Sequence, residues 1–166
     1  MTTGGFTCAC CGEFHDGFPA ITAPAPAPWD PAMAGRPGCS LTSDECVIDG
    51  TDFFVRAVLR VPVVDAAQYF EWGVWVSQSE ANFRRALKPW NQLRPTRMAP
   101  TFGWLSTDLP AYEESTLLLK AGLYQQGRGL RPLAELEPTD HRLAVEQREG
   151  ITSARVHELT APYLTD

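Results

Sequence analysis

The sequence predicts an α+β fold with a mostly antiparallel sheet, and two observations support this prediction. Short segments rich in β-branched and aromatic residues gather in the middle of the chain, and helical patterns follow them. We expect a helix after the second strand, two short C-terminal helices and an N-terminal zinc-knuckle-like head. The 166 residues suffice for one domain with its own core. We divide it into a Cys/His metal-binding head (6–19), a proline-rich wrap (20–38) and an α+β body (40–166).

The head holds three cysteines and a histidine within "TCACCGEFH" (7–15). Cys8 and Cys11 have the two-residue spacing that lets both thiolates reach one zinc ion. The glycine that follows them suits a turn with positive φ. His15 lies four positions after Cys11, which is close enough for it to fold back as a third ligand. The pattern therefore predicts a zinc site in the head.

A tetrahedral site needs a fourth ligand, and we predict Cys46, with Cys39 and His141 as alternatives. A site closed by four protein ligands is structural, and this is the role we predict for the zinc. Two other interpretations stay open. An open site beside Glu13 or His141 would activate water for hydrolysis, and the CxxC pair would exchange disulfides in a thiol redox protein.

The stretch "AITAPAPAPWDPAMAGRPG" (20–38) is rich in proline and alanine. This composition is typical of extended or polyproline-like backbone. Trp29 within it predicts docking on the core, because a large aromatic side chain is stabilised by burial. A ligand for a proline-recognising partner domain is the alternative interpretation.

Two β-rich segments, "FFVRAVLRV" (53–61) and "YFEWGVWVS" (69–77), predict an antiparallel pair. Alternation along the second strand divides its side chains between two faces. The core face is expected to hold Phe70, Trp72, Val74 and Val76. The opposite face is expected to hold Tyr69, Glu71, Gly73, Trp75 and Ser77.

This opposite face is the predicted recognition surface. Trp75 lies beside a glycine in the alternation, which leaves room for a ligand against the indole ring. Arg56 and Arg60 of the neighbouring strand are positioned to pair with Glu71 across the ladder. We predict a surface of Trp75, Glu71, Arg56 and Arg60 that binds a ligand or a protein partner. Coverage of this face by loops or solvent is the alternative.

A helix is predicted next, from a capping-box match at Ser77 and Glu80 to a stop at Pro89. Three further short strands are predicted at 102–106, 116–124 and 130–137. The glycines of "QQGRG" indicate a hairpin loop between the last two of these strands.

Two C-terminal helices complete the predicted fold. The first begins with Asp140 as N-cap and ends at Gly150. The second begins with Thr152 as N-cap, and the spacing of Ile151 and Val156 predicts a hydrophobic staple.

The chain offers no convincing catalytic set. Asp140 and His141 resemble an acid–base pair near Glu146, but a cap and a first-turn residue are the simpler interpretation. Glycine-rich nucleotide motifs and nucleophile elbows are absent from the sequence. We predict no catalytic residue and leave enzymatic activity open.

Charge and composition exclude several classes of function. The net charge of -6 and the pI of about 5.0 attract neither nucleic acid nor an anionic membrane. No apolar run approaches the about 18 residues that a membrane span needs. We expect no secretory signal at residues 1–5, and five cysteines without such a signal favour reduced thiols and a cytoplasmic protein.

Five stretches spread over residues 8–151 carry a resemblance to a known family: "CACCGEFHDGFP", "SDECVIDGTDFFVRA", "WGVWVSQSEANF", "FGWLS" and "LEPTDHRLAVEQREGI". In these stretches the chain resembles the bacterial domain of unknown function 2199. The resemblance implies a small bacterial protein and supplies no catalytic residues. The proline-rich segment 20–38 departs from the family pattern. Taken together, the sequence predicts a zinc-stabilised binding or interaction protein with a protein as its expected partner.

Overall fold

A computed structural model describes residues 5–7, 14–90, 99–127 and 129–163, with the backbone alone for 5–7, 14–15 and 87–90. These residues form ten strands and three α-helices. The strands are β1 Gly5–Thr7, β2 Phe14–Asp16, β3 Ile21–Thr22, β4 Ser40–Leu41, β5 Glu45–Ile48, β6 Asp52–Val63, β7 Gln68–Gln78, β8 Thr101–Trp104, β9 Lys120–Tyr124 and β10 Leu133–Leu136. The helices are α1 Glu80–Trp90, α2 Arg142–Glu149 and α3 Ser153–Thr160, with single 3-10 turns at Pro31–Met33 and Ala161–Tyr163.

The strands β6 and β7 form the predicted antiparallel pair and are the longest in the described chain. Their ladder runs from Phe53 opposite Gln78 to Val63 opposite Gln68. The predicted core face of β7 is confirmed, because its four inward side chains are fully buried: Phe70, Trp72, Val74 and Val76. We call the opposite side of the sheet the outer face.

The main sheet has eight strands, with β3-β7-β6-β10-β9-β8 in order and β5 and β4 added beside β6. Most neighbours are antiparallel, and the parallel pairs are β3 with β7 and β10 with β6. A bridge between Val76 and Leu105 brings the end of β8 back towards β7. The predicted mixed α+β fold with a mostly antiparallel sheet is confirmed.

The main hydrophobic cluster lies on the inner face of the sheet, where α2 and α3 contribute Leu143, Val156 and Leu159. A smaller cluster lies on the outer face, at the β5 end of β6 and β7, and its buried members are Cys46, Ile48, Phe54 and Trp75. The proline-rich segment covers this smaller cluster with Ala23, Trp29 and Met33. The domain therefore has one large core and one small core on opposite sides of the same sheet.

The helix α1 follows the second strand of the pair, as predicted, but its ends differ from the prediction. Ser79 caps the helix, because its hydroxyl accepts a hydrogen bond from the Asn82 N–H at 3.2 Å. Ser77 is still part of β7, and its hydroxyl accepts the Trp104 N–H at 3.1 Å. The helix continues through Pro89 to Trp90, past the stop that the sequence predicts at Pro89.

The C-terminal helices are present, with one cap misassigned by the sequence. Gly150 ends α2 with φ 84°, and the Thr152 hydroxyl caps α3 by accepting the Arg155 N–H at 3.2 Å. The N-cap of α2 is His141 rather than Asp140, since Nδ1 of His141 accepts the Leu143 N–H at 3.1 Å. None of the helices in the described ranges is long and apolar enough to span a bilayer.

Candidate functional site

The outer face of the sheet contains the predicted pairing of Arg60 with Glu71. The two residues are cross-strand neighbours in the β6–β7 ladder, and Arg60 Nε lies 2.9 Å from Glu71 Oε1. The Arg60 guanidinium also lies over the ring of Tyr69, 5.6 Å from its centroid. Both charged side chains are partly exposed, so the pair shapes the surface more than it stabilises the fold.

The other half of the predicted recognition surface is covered by the chain itself. Trp75 is 0% exposed, and its indole N–H donates to the carbonyl of Ala23 at 3.0 Å. The room beside Gly73 is filled by Thr22, whose Oγ1 would lie 2.8 Å from a Cβ built on that glycine. Arg56 turns away to donate to the Ser43 carbonyl at 3.1 Å. The prediction that Trp75 forms an open face with Glu71, Arg56 and Arg60 therefore does not match the structure.

The uncovered half of the outer face contains a groove with a volume of about 710 Å³. We call it the outer groove. Its walls come from β6, β7, β8, β9, β10 and α2. The residues that line it include Arg60, Tyr69, Phe102, Gly122, Tyr124, Glu135, Glu137 and Arg148.

The groove exists because β6 and β10 separate. They share one register pair, Leu133 with Val58. Beyond that pair, Gln147 of α2 fills the gap between the two backbones. Its Nε2 donates to the carbonyls of Ala134 at 2.9 Å and Arg60 at 3.4 Å, and its Oε1 accepts the Leu136 N–H at 2.8 Å.

Exposed aromatic side chains line this groove. Tyr69 is 57% exposed, Phe102 47% and Tyr124 41%. At the edge of the groove, Trp104 packs edge-on against Phe102 with 5.2 Å between ring centroids, and Lys120 Nζ lies 5.7 Å from the Trp104 ring. Clustered exposure of large apolar side chains is typical of a binding surface.

A glycine forms the floor of the groove between three strands. Gly122 of β9 pairs with Phe102 on one side and with Glu135 on the other. A Cβ at Gly122 would lie 3.4 Å from Tyr124 Cε2 and 3.8 Å from Pro100 Cβ, which are ordinary contacts. Tyr124 and Pro100 therefore border the space above this glycine at contact distance, whereas the atoms of Thr22 occupy the corresponding space at Gly73. We call this space, bounded by Phe102, Tyr124 and Glu135, the Gly122 notch.

The arginines and the glutamates around the notch differ in the partners that the described part of the chain gives them. Arg60 is paired with Glu71, and Arg148 Nη1 donates to the carbonyls of Thr139 at 3.3 Å and Ala144 at 3.5 Å. Glu135 and Glu137 form no ion pair with any side chain that the structure describes. The groove therefore offers carboxylates whose charge is not neutralised by the described part of the chain.

The predicted zinc ligands fall mostly outside the described residues. Cys8 and Cys11 are not described, and only the backbone of His15 is, in β2. The ligand set of Cys8, Cys11 and His15 remains a prediction. No group of three or more metal-ligating side chains occurs among the residues that the structure describes.

Cys46, the predicted fourth ligand, lies away from the point where the head joins the described part of the chain. Its side chain is fully buried in the smaller core, and burial raises the pKa of its thiol to about 11. Cys46 of β5 pairs with Phe54 of β6, which in turn pairs with Ser77 at the C-terminal end of β7. Gly17, where the head joins the described chain, lies against Gln68 at the N-terminal end of β7. At about 3.3 Å per residue these ends lie on the order of 30 Å apart.

The residues of the acid–base alternative near α2 form hydrogen bonds within the fold. Glu146 is buried and accepts hydrogen bonds from Tyr112 Oη at 2.7 Å, Arg155 Nε at 2.8 Å and Arg142 Nε at 3.1 Å. Burial and the neighbouring Glu146 raise the pKa of Tyr112 well above its usual value. His141 Nδ1 caps α2, and its Nε2 lies 3.3 Å from the Glu114 carbonyl. The cluster joins α2 and α3 to the segment between β8 and β9, and none of its hydrogen-bonded residues lines the outer groove.

Sequence reasoning missed most of the groove residues. Phe102 and Trp104 alternate with inward residues of β8, and Tyr124 alternates with Ala121 and Leu123 of β9. Large aromatic residues at the outward positions of strands that already have an apolar inward face were the available signal. Assembling them into one groove with Glu135 requires the register of three strands.

Comparison with known proteins gives one match. The model of the family described as "uncharacterized protein conserved in bacteria (DUF2199)" matches residues 7–151. No curated protein and no solved structure matches the chain.

Proposed function

We propose that this chain, which belongs to the DUF2199 family of bacterial proteins, is a binding protein that holds an extended polypeptide segment of a partner in its outer groove. The observation that carries the proposal is the groove of about 710 Å³ with Tyr69, Phe102 and Tyr124 exposed along it. Ligand pockets typically have volumes of about 300–1,000 Å³. The residues that line the groove come from five neighbouring strands, β7, β6, β10, β9 and β8, and this span suits a linear segment.

The exposed rings supply the driving force for such a complex. Covering the exposed part of three aromatic side chains removes roughly 300 Å² of apolar surface from water, or about 7 kcal/mol of gross stabilisation at about 25 cal/mol per Å². Loss of translational freedom and ordering of the peptide offset much of this gain. A weak and reversible complex is therefore expected, with polar contacts from Glu135 and the Arg60–Glu71 pair setting its specificity.

The binding proposal is tested by selection from a random twelve-residue peptide library displayed on phage, followed by calorimetric titration of synthetic copies of the recovered peptides. Phe102→Ala and Tyr124→Ala are each expected to weaken binding about tenfold, because they remove contact area from the groove. Leu118→Ala is the matched control. Leu118 is 69% exposed and does not line the groove, so its loss should leave binding within twofold.

Two outcomes contradict the binding proposal. One is a library that yields no binder above background for a folded sample. The other is a set of recovered peptides that bind the Phe102→Ala and Tyr124→Ala proteins as tightly as the parent, which would place the binding elsewhere. Thermal melts of all three variants establish that the fold is retained.

The same proposal includes a structural zinc ion in the head, on Cys8, Cys11 and His15, in a cytoplasmic protein. The sequence spacing supports the zinc, and the free thiols Cys39 and Cys46 are consistent with a reducing compartment. Elemental analysis should find one equivalent of zinc, and Cys11→Ser should lose it and lower the melting temperature. Purified protein without zinc, melting at the same temperature before and after zinc is added, contradicts this part of the proposal.

A further inference from the structure

We infer that the Gly122 notch takes the basic side chain of the partner polypeptide, an ammonium or a guanidinium group. This inference rests on the proposed peptide-binding function and names the chemistry that the groove selects. It starts from the cross-strand row of Phe102, Gly122 and Glu135. Because the middle residue has no side chain, an aromatic ring and a carboxylate flank one open position.

The outer face already pairs cations with aromatic rings at both sides of the notch. The Arg60 guanidinium lies over Tyr69 at 5.6 Å, and the Lys120 ammonium lies over Trp104 at 5.7 Å. Among the described residues, no cation lies over the ring of Tyr124 or forms an ion pair with Glu135. A cation from a bound polypeptide would contact the Tyr124 ring and the Glu135 carboxylate. It would act there as the chain's own cations do at Tyr69 and Trp104.

Charge complementarity favours a basic group over an acidic one. Glu135 bounds the notch, Glu137 follows it along the chain, and both are exposed. The net charge of the whole protein is -6, which attracts cations at long range. Of the two arginines that line the groove, Arg60 is neutralised by Glu71, and the Nη1 of Arg148 is held by two carbonyls at 3.3 and 3.5 Å.

The geometry also explains why the notch is specific for a side chain rather than for a flat ring system. Phe102 of β8 is the cross-strand partner of Gly122, and Tyr124 follows Gly122 two residues later on the same face of β9. A side chain of a bound segment can enter above Gly122 with its apolar stem against the rings and its charged end at Glu135. Lysine and arginine have such a stem and such an end.

The test uses the peptides recovered from the phage library. Each lysine in a synthetic copy is replaced by norleucine, which removes the ammonium group and keeps the four-carbon stem. Each arginine is replaced by citrulline, which removes the charge and keeps the length. One such replacement is expected to weaken binding to the parent protein about tenfold, because hydrogen bonds between charged groups are stronger than those between neutral groups. The same replacement should cost less than twofold in the Glu135→Gln protein, since the carboxylate that reads the charge is gone.

Glu113→Gln is the matched control, because it makes the same change in net charge at an exposed glutamate outside the groove. It should leave the affinity within twofold, whereas Glu135→Gln should weaken binding of the basic peptide about tenfold. Equal losses in the two variants would mean that only the overall charge matters, and would overturn the inference.

Failure of this inference is distinguishable from failure of the binding function. Peptides that need Phe102 and Tyr124 but tolerate norleucine and citrulline at every basic position overturn the notch assignment and leave peptide binding intact. Recovery of acidic peptides has the same meaning. If no peptide binds, or if the protein binds only glycans when it is screened against a glycan array, both the notch assignment and the peptide-binding function are overturned.

Discussion

The two halves of the outer face carry the same kind of feature and use it in opposite ways. At one end, Gly73 lies beside Trp75, and the proline-rich segment fills the space with Thr22 and covers the ring. At the other end, Gly122 lies beside Phe102 and Tyr124, and those rings stay exposed. At Gly73 the space beside an aromatic ring is occupied by the protein's own chain, and the proposed function assigns the corresponding space at Gly122 to a partner.

This comparison also explains the stability expected of each half. The covered half buries a tryptophan and forms a small core, so changes there should unfold or loosen the domain. The open half exposes its aromatic residues, so changes there should alter binding with little effect on folding.

The largest expected effect is that of Trp75→Ala in the covered half. The side chain is fully buried and donates a hydrogen bond to Ala23, so truncation leaves a cavity and an unpaired carbonyl. We expect a loss of about 3–5 kcal/mol in the free energy of unfolding. Urea denaturation followed by circular dichroism measures the loss. Phe102→Ala in the open half is the comparison, and a loss there equal to that of Trp75→Ala would break the distinction between the halves.

The next effect concerns the reactivity of Cys46. Burial beneath the wrap raises the pKa of its thiol to about 11, so iodoacetamide at pH 8 should label it roughly a hundredfold more slowly in the folded protein than in urea. Peptide mapping by mass spectrometry separates Cys46 from the other cysteines. Equal rates in the folded and unfolded protein would show that the wrap does not cover this side chain.

The same pKa shift has a consequence for the pH dependence of stability. The folded thiol keeps its proton up to about pH 11, whereas its ordinary pKa is 9.0. Between these values the folded state binds more protons than the unfolded state, so the free energy of unfolding decreases as the pH rises. Below pH 9 this contribution is fully present. Cys46→Ala should reduce the slope of stability against pH between 9 and 11, and an unchanged slope would contradict the assignment.

A smaller loss is expected for Gly73→Ala. The new Cβ would lie 2.8 Å from Thr22 Oγ1 and 3.0 Å from Thr22 Cγ2, so β3 must shift at a cost of about 1–3 kcal/mol. Thr22→Ala removes both of these atoms. In a double-mutant cycle, Thr22→Ala should therefore restore part of the stability that Gly73→Ala loses. Strict additivity of the two substitutions would mean that Thr22 does not occupy this space.

The smallest effect on stability is expected for Gly122→Ala in the open half. Its Cβ would meet its nearest neighbour at an ordinary 3.4 Å, so the free energy of unfolding should change by less than about 0.5 kcal/mol. The methyl group nevertheless occupies the floor of the notch, and binding of basic peptides should weaken. A large loss of stability would show that the glycine is needed for folding and would remove the contrast with Gly73.

Local patterns predicted the parts of the fold that depend on neighbours in sequence. The period of two along β7 assigned Phe70 and Trp72 to the core, and Thr152 and Gly150 marked helix ends through their own backbone and side-chain chemistry. These features need no knowledge of distant residues, which is why they were predictable.

The hairpin from β5 to β6 was also available and was missed. Asp49 and Gly50 both have positive φ, at 53° and 68°, in the turn that joins the two strands. An Asp-Gly pair between apolar segments is a strong hairpin signal. The sequence places Cys46 just before the first strand of the sheet, whereas it lies within β5 and is buried.

The cover over Trp75 and the outer groove were not predictable from local patterns. The first depends on a contact between Ala23 and Trp75, 52 positions apart in the chain. The second depends on the register that aligns Phe102, Gly122 and Glu135. Cross-strand alignment over three strands follows from the global packing of the sheet and not from the composition of any one strand.

The amide of Gln147 makes α2 a spacer for the sheet. Its side chain, which comes from outside the sheet, forms three hydrogen bonds with the backbones of β6 and β10. The length of this side chain therefore sets the distance between the two strands. Shortening it by one methylene, as in Gln147→Asn, would let β6 and β10 close. The width of the outer groove therefore depends on a side chain of α2 as well as on the strands.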